Sequence, residues 1–317
     1  MAQSFSVSHD SSLLNCLFEL FPQQSRTGVK AYLKDGRVLV NGEGRTAFDW
    51  PLKAGDTIEI LSKGASIGRD MKEDATSLLR REGISIIFED AHLIVIDKNA
   101  GVPVNAPKNS TGGRRVKSVQ SLMTDYMHTE KRANIKAGTG SYKDSSRVFL
   151  IHRIDRDASG LMLLAKDEYT KELIQSKWNE MILGITFTAL LEGCPEQKSG
   201  RIETWLTENP KSLKMISSPE DDGGMRAVTR YRVTAERNRF CVAEFCLETG
   251  RKHQIRVHAA EVLGHPVAGD RKYGSTVSFG GRLALHAGSL AFRNPYGGEV
   301  LRFTSPVPAV FGLVKQG

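Results

Sequence analysis

The order of apolar and polar positions divides the chain into segments of different period. Leu13 to Leu20 (LLNCLFEL) and Thr27 to Lys34 carry apolar residues at three- and four-residue steps, which predicts two short helices. Val38–Val40 reads as a strand running into Asn41-Gly42, the dipeptide that best accepts the left-handed angles of a tight hairpin turn. Gly55-Asp56 marks a second turn and Thr57–Leu61 a second strand. Two helices and a small hairpin sheet make a compact module over 1–62, and the polar stretch 63–83, without an aromatic residue, reads as a linker.

From Ile84 the pattern changes. Ile84–Phe88 and Leu93–Asp97 are β-rich runs around a turn at Glu89-Asp90, and Gly160–Ala165 is a continuous apolar run of the kind a buried strand shows. Asp167 is placed to cap a helix, along which Tyr169, Leu173, Ile174, Trp178, Met181 and Ile182 form a stripe expected to face the core. Strand-like segments follow around 186–191, 226–235 and 240–248, then a short helix near 254–263. Regular βα alternation is missing, so the expected class is α+β with a mainly antiparallel sheet over 84–317.

Composition adds limits. The chain has 317 residues, 40% hydrophobic and 25% charged, enough for one large domain or two. Its longest aliphatic runs, such as LIVI at 93–96, fall far short of the ~18 residues that cross a bilayer. The opening MAQSFSVSHDSS lacks a basic stretch followed by an apolar one, and a cytoplasmic protein is expected. The cysteines at 16, 194, 241 and 246 form no CxxC, and Cys241 and Cys246 point to opposite faces of a strand, so no metal site is expected.

The charge is +8 overall, and the excess is local. Residues 1–62 carry six Lys/Arg against seven Asp/Glu, whereas 106–148, a Gly-, Ser- and Lys-rich insertion with one helical stretch near Ser118–Met127, carry nine against three. Within the front module Arg26, Lys30, Lys34 and Arg37 recur at helical steps and form a basic edge. Such excess attracts polyanions, of which nucleic acid is the commonest, and a solvated loop without a partner has the same signature.

Two stretches combine unusual residue types. In IHRIDRDASGLMLLAK (151–166) the group His152, Arg153, Asp155, Arg156 and Asp157 crowds a loop that feeds an apolar strand. In LETGRKHQIRVHAAEVLGHPVAGDRKYG (247–274) Arg251, Lys252, His253, Arg256 and His258 lie close together. A partly buried Asp155 needs a cation to stay ionised, and an arginine from the second stretch could supply it through a two-pronged contact. Taken alone, the Asp/Arg loop reads equally as a surface salt-bridge cluster.

Their combination resembles the RluA-like branch of the pseudouridine synthases. HRIDRDASGLMLLAK is similar to that family's HRLDxxTSGLLLxAK, and TGRKHQIRVHAAEVLGHPVAGDRKYG to its TGRxHQIRVHxxxxGHPIxGDxxYG. IIFEDAHLIVIDKNAGVPV, AVTRYRV and LALHAGSLAF add matches in family order, and the front module resembles a small S4-like RNA-binding domain. The resemblance implies isomerisation of uridine to pseudouridine in structured RNA, without cofactor or metal, by a monomer. It implies Asp155 as nucleophile and Arg256 as its charge partner, with Ile255 packing under the base and Arg153 entering the RNA where the uridine leaves the stack. Large-subunit ribosomal RNA is the expected substrate, with transfer RNA as the alternative.

Two departures stand out. Where the family has a tyrosine in KxYxALVxG, ITFTALLEG places Phe187, which keeps a stacking surface and has no titratable group. Asn99 stands where KPAG is expected. Phe187 leaves room for a non-catalytic ribosome-assembly factor, and the Asp/His groups for a metal-dependent phosphoesterase.

Overall fold

The computed structural model of the chain describes residues 3–61, 75–105, 117–136, 147–278 and 281–311. Most of the expected linker and both flanks of the basic insertion lie outside the described residues. The chain divides into two compact units, Met1–Arg81 with Leu122–Arg147, and Glu82–Ser121 with Val148–Gly317.

In the first unit, β1 (Gln3–Ser6), β3 (Val38–Val40), β4 (Glu43–Gly44) and β6 (Thr57–Ile60) form an antiparallel sheet in the order β1-β6-β3-β4, and β2 (Ser11–Ser12) pairs with β5 (Pro51–Leu52). Helices α1 (Leu13–Leu20) and α2 (Arg26–Lys34) match the expected spans. Their apolar faces bury Leu13, Leu17, Val29 and Leu33 with Val38 and Ile58 of the sheet. Ser25 caps α2, its hydroxyl accepting the Gly28 N–H at 3.1 Å. Asn41 and Gly42 take φ of 53° and 78°, as the hairpin turn requires, and the Asn41 amide bonds Asp56 and the Thr57 N–H of the other turn. The basic edge is partly as expected. Arg26, Lys30 and Lys34 are exposed, but Arg37 lies beyond the helix, donates twice to the Leu61 carbonyl and stacks on Tyr32. A helical stretch expected near Ser118–Met127 extends further, over Val119–Lys136.

The second unit is built on β7 (Ile84–Glu89), β8 (Leu93–Lys98), β9 (Phe149–Leu150), β10 (Ser159–Ala165), β11 (Ile182–Glu192), β12 (Ser199–Glu208), β13 (Met215–Ser218), β14 (Met225–Arg237), β15 (Phe240–Leu247), β16 (Leu285–Arg293) and β17 (Val300–Thr304). They form one sheet, β13-β12-β14-β15-β11-β16-β10-β8-β7, with β17 on β16 and β9 on β10. Among these pairings β10–β16 is parallel and the rest antiparallel, so the class is α+β with a mainly antiparallel sheet. Every residue of β10 is buried, in keeping with its unbroken apolar run.

The helix after β10 departs from the expected stripe. Asp167 does cap it, accepting the Thr170 N–H at 2.7 Å, and Ile174 is fully buried. Tyr169, however, in the first turn, is 68% exposed, and the helix is broken, ending at Ser176 before a separate short helix, Trp178–Met181. Ile174 and Ile182 nonetheless enter the same core, with Trp178 and Met181 packed against it, so the stripe faces that core across the break and Tyr169 departs from it.

The parallel contact brings the loop before β10 against β16. Gly160, at φ 114°, sits so close to Ala287 that a Cβ would overlap its carbonyl and stand 2.6 Å from its nitrogen. Gly288, the extra residue of a bulge opposite Thr186 and Phe187, has ordinary space around it, its nearest neighbour lying 3.6 Å away. We therefore expect Gly160→Ala to lower unfolding stability by about 3 kcal/mol or more, and Gly288→Ala to change it by less than about 1 kcal/mol. Urea denaturation of the two variants checks this contrast.

Candidate active site

Asp155 sits in the loop between β9 and β10, between buried residues that anchor the loop. Ile151, Ile154 and Ala158 are buried plugs, while Arg153 and Arg156 point to solvent and the Asp155 side chain remains 21% exposed. His152 ties the start of the loop down, its Nε2 accepting the Leu163 N–H at 2.9 Å. The end is held by Lys98, a fully buried ammonium whose three N–H groups are shared among four carbonyls, those of Asn99, Val102, Arg156 and Ala158, at 2.7–3.0 Å from Nζ. Burial pushes Lys98 down to about 8, against the opposing charges of Asp157 and Asp155. Next to it, the departure at Asn99 has a structural use. Its backbone N–H, which a proline would lack, donates to the Gly83 carbonyl at 2.8 Å.

Arg256 comes from a short helix, Gln254–Val257, that the sequence placed as the start of a longer one. The continuation, His258–Val262, is a π-helical turn. Gln254 fixes this element with its whole amide. Its nitrogen donates to the Val228 carbonyl and the Thr229 hydroxyl, and its oxygen accepts from the Thr249 hydroxyl and the Arg251 N–H, all within 3.0 Å. His258, wholly buried, extends the same network to Thr229 at 2.8 Å and Thr204 at 3.0 Å. With Gln254 donating to Thr229, the threonine hydroxyl is free to donate to His258 Nδ1, which puts the ring proton on Nε2.

The expected charge pair is present, but its geometry differs. Arg256 Nη1 lies 3.3 Å from Asp155 Oδ2, a single contact. The two-pronged contact goes to Asp270, with Nε and Nη2 at 2.7 and 2.8 Å from its two oxygens. Asp270, 2% exposed, takes the Nε/Nη2 edge of the guanidinium, and Asp155 meets Nη1 alone at the end-on edge that remains. Burial alone would disfavour the Arg256 charge. The Asp270 hydrogen bonds and the charges of Asp270 and Asp155 outweigh it and raise the pKa. Tyr273 lies under the guanidinium, 5.0 Å from Cζ, and its hydroxyl receives the Met215 N–H and bonds His253 Nδ1 at 2.8 Å. Burial raises Tyr273 to about 12 and lowers His253 to about 4. His253 also holds φ 55°, a left-handed conformation of the kind that clusters at functional sites.

The structure thus joins Asp155 directly to Arg256 and places Ile255, 4% exposed, beside Arg256 on the same helix. Arg153 is exposed on the Asp155 loop. Phe187, 6% exposed, stands on β11 in register with Ala287 of β16, itself opposite Gly160 of β10. Sequence reasoning missed Asp270, Tyr273 and Lys98 as parts of the site. The first two lie in the quoted GDRKYG segment, where a buried-looking Asp among cations was the available signal. Among the described residues no group of His, Cys, Asp and Glu is placed to hold a metal ion, and no helix is long and apolar enough to cross a membrane.

Comparison with known proteins bears on this site. The family model described as RNA pseudouridylate synthase matches residues 92–261. The RNA pseudouridine synthase YlyB of Bacillus subtilis is 31% identical over 90% of this chain and 86% of its own length. The ribosomal large subunit pseudouridine synthase D of Xylella fastidiosa is 30% identical over 92% of this chain and 84% of its own. A solved structure, human RNA pseudouridylate synthase domain containing 4, has the same fold, with a TM-score of 0.56 and 23% identity over 77% of this chain and 95% of that one.

The histidines that hold the two site loops make the fold acid-sensitive. Burial keeps His152 and His258 at about 4 when folded, against ~6.5 in the unfolded chain. Between these values the unfolded chain takes up protons that the folded one refuses. Stability is therefore complete above pH ~6.5 and falls as the pH drops toward 4, with His258 alone contributing a loss of about 2 kcal/mol between pH 7 and pH 5. Urea denaturation across this range should show the decline; a flat profile would mean that neither ring is held neutral.

Proposed function

The chain belongs to the RNA pseudouridylate synthase family, and we propose that it isomerises uridine in large-subunit ribosomal RNA with Asp155 as the nucleophile. The single observation that carries the assignment of Asp155 is its position. It is a partly exposed carboxylate on a loop pinned at both ends, facing a buried guanidinium whose other edge is already occupied. Such a carboxylate is aimed by one contact without being clamped in a full two-pronged pair.

In this reading the bond from uracil N1 to ribose C1′ breaks, the base turns in the pocket, and C5 joins C1′. The C5 hydrogen leaves as a proton and N1 gains one, so the change is redox-neutral and needs no outside reactant. Asp155 attacks the flipped nucleotide through the carboxylate that Arg256 steadies at Oδ2. Ile255 and Phe187 supply apolar surface for the base. Since Phe187 has no proton to exchange, Asp155, free again once the new bond forms, is the carboxylate at hand to take the C5 proton. Arg153, exposed on the same loop, enters the RNA stack in place of the uridine, offsetting the few kcal/mol that flipping costs.

Ribosomal RNA as substrate rests on the likeness to the ribosomal large subunit pseudouridine synthase D of Xylella fastidiosa, at 30% identity. The front module supports an RNA partner through the exposed Arg26, Lys30 and Lys34 of α2, consistent with an S4-like RNA-binding role. Structured RNA is recognised by shape and backbone, which suits scattered cations.

Tritium release from RNA labelled at uridine C5 tests both parts, with ribosomal and transfer RNA fractions from cells lacking the gene offered separately. Wild type should release tritium from the ribosomal fraction, and Asp155→Ala should release at least a thousandfold less while still binding RNA. Release from transfer RNA alone would move the substrate. Equal release by Asp155→Ala would remove the nucleophile assignment.

A further inference from the structure

On the Asp270 side of Arg256 lies a cavity of about 310 Å³ that the nucleophile does not line. Its charged walls are Asp157, Arg256, Asp270, Arg271, Lys272 and Arg282. Both carboxylates are already engaged. Asp270 holds Arg256 through both oxygens, and Asp157 pairs with Arg156 at 2.9 Å. Neither Arg271 nor Arg282 has a carboxylate partner among the described residues, and Lys272 reaches only the Leu213 carbonyl, at 2.6 Å. The cavity therefore holds uncompensated positive charge.

Arg282 carries the sharper signal. Its Nη2 donates to the Ser159 hydroxyl at 3.2 Å, next to the end of the Asp155 loop, while its Nε is buried with no hydrogen-bond partner among the described residues. A buried donor left without an acceptor is costly, and native structures rarely keep one where nothing comes to fill it. Burial lowers the Arg282 pKa, and burial together with the neighbouring cations Lys252 and Arg256 lowers that of Lys272. The serine that Arg282 meets is itself held in place. Ser159 in turn bonds His286 Nδ1 at 2.9 Å, and His286 Nε2 meets the Ser305 carbonyl, which fixes the serine hydroxyl as acceptor toward Arg282.

We propose that this cavity is a phosphodiester subsite, in which Arg282 and Arg271 grip a backbone phosphate flanking the uridine presented to Asp155. The inference rests on the RNA reading above. Arg256 touches Asp155 with Nη1 and borders the cavity with its other face, so an anion held here lies one guanidinium away from the reacting carboxylate. The anion nearest a reacting ribose in RNA is the phosphodiester joined to it. Arginine suits the task, because its fork reaches two phosphate oxygens at once.

The test is a fluorescence-anisotropy binding cycle with a labelled RNA hairpin carrying one loop uridine. Either linkage beside that uridine is a normal phosphodiester or a neutral methylphosphonate. One methylphosphonate should weaken binding to wild type about tenfold, and Arg282→Gln should weaken binding of the normal hairpin by a similar factor. In Arg282→Gln the same methylphosphonate should then cost nothing further, while Arg282→Lys, which keeps the charge without the fork, regains part of the affinity and shows that the fold is intact. An undiminished methylphosphonate penalty in Arg282→Gln, or no penalty in wild type at either linkage, would overturn the subsite. So would an Arg282-dependent affinity for inorganic phosphate without that coupling. Because binding is read without turnover, a coupled cycle in a protein that releases no tritium would keep the subsite and discard the isomerase reading instead.

Discussion

The site depends on how one guanidinium is shared between two carboxylates. Arg256 is 8% exposed, and a buried cation left without a partner is strongly unfavourable. Asp270 meets that need with two short hydrogen bonds and fixes the plane of the guanidinium. Nη1 of the remaining edge then faces Asp155 through a single contact at 3.3 Å, which orients the carboxylate without tying up both oxygens. A pair in which Asp155 took the two-pronged contact would be a stronger salt bridge and a poorer nucleophile. Asp270 therefore acts as a positioning residue, since it reaches the chemistry only through Arg256.

Around that fork the fold spends its polar groups on holding two short segments still. The Asp155 loop is tied by His152 to β10 and by Lys98 to two of its carbonyls, and the close approach of Gly160 to Ala287 fixes where β10 begins. The Arg256 helix has only four residues and cannot stabilise itself. Gln254 and His258 anchor it through Thr229, Thr204 and Thr249 to β12 and β14 and the turn after β15. Each buried polar group in this network has its partners, the condition under which such a network rigidifies rather than weakens a structure.

Local elements were legible in the sequence because local chemistry decides them. The α1 span, the Asn41-Gly42 turn and the Asp167 cap all follow from residues within a few positions of one another. The buried run 160–165 gave β10 by its length and apolarity. The edge strand β13 and the short strands β2, β4 and β5 were not legible, since two- to four-residue strands carry too little alternation to read. Asp155 and Arg256 were legible through resemblance. Their geometry was not, because the contact joins residues 101 positions apart and its competitor, Asp270, reaches Arg256 only once the turn after Val267 has closed. Lys98 escaped notice for a similar reason: a lysine at the end of a strand usually meets solvent, and nothing local shows that four carbonyls converge on it.

The measurement that bears most directly on this arrangement is a double-mutant cycle on single-turnover isomerisation with Asp270→Asn and Arg256→Met. If Asp270 acts only by holding the guanidinium, Asp270→Asn should slow the wild-type step at least tenfold and leave the Arg256→Met protein no slower than it already is. Independent, additive losses in the two backgrounds would contradict the account, because Asp270 would then serve the reaction by a route that does not pass through Arg256.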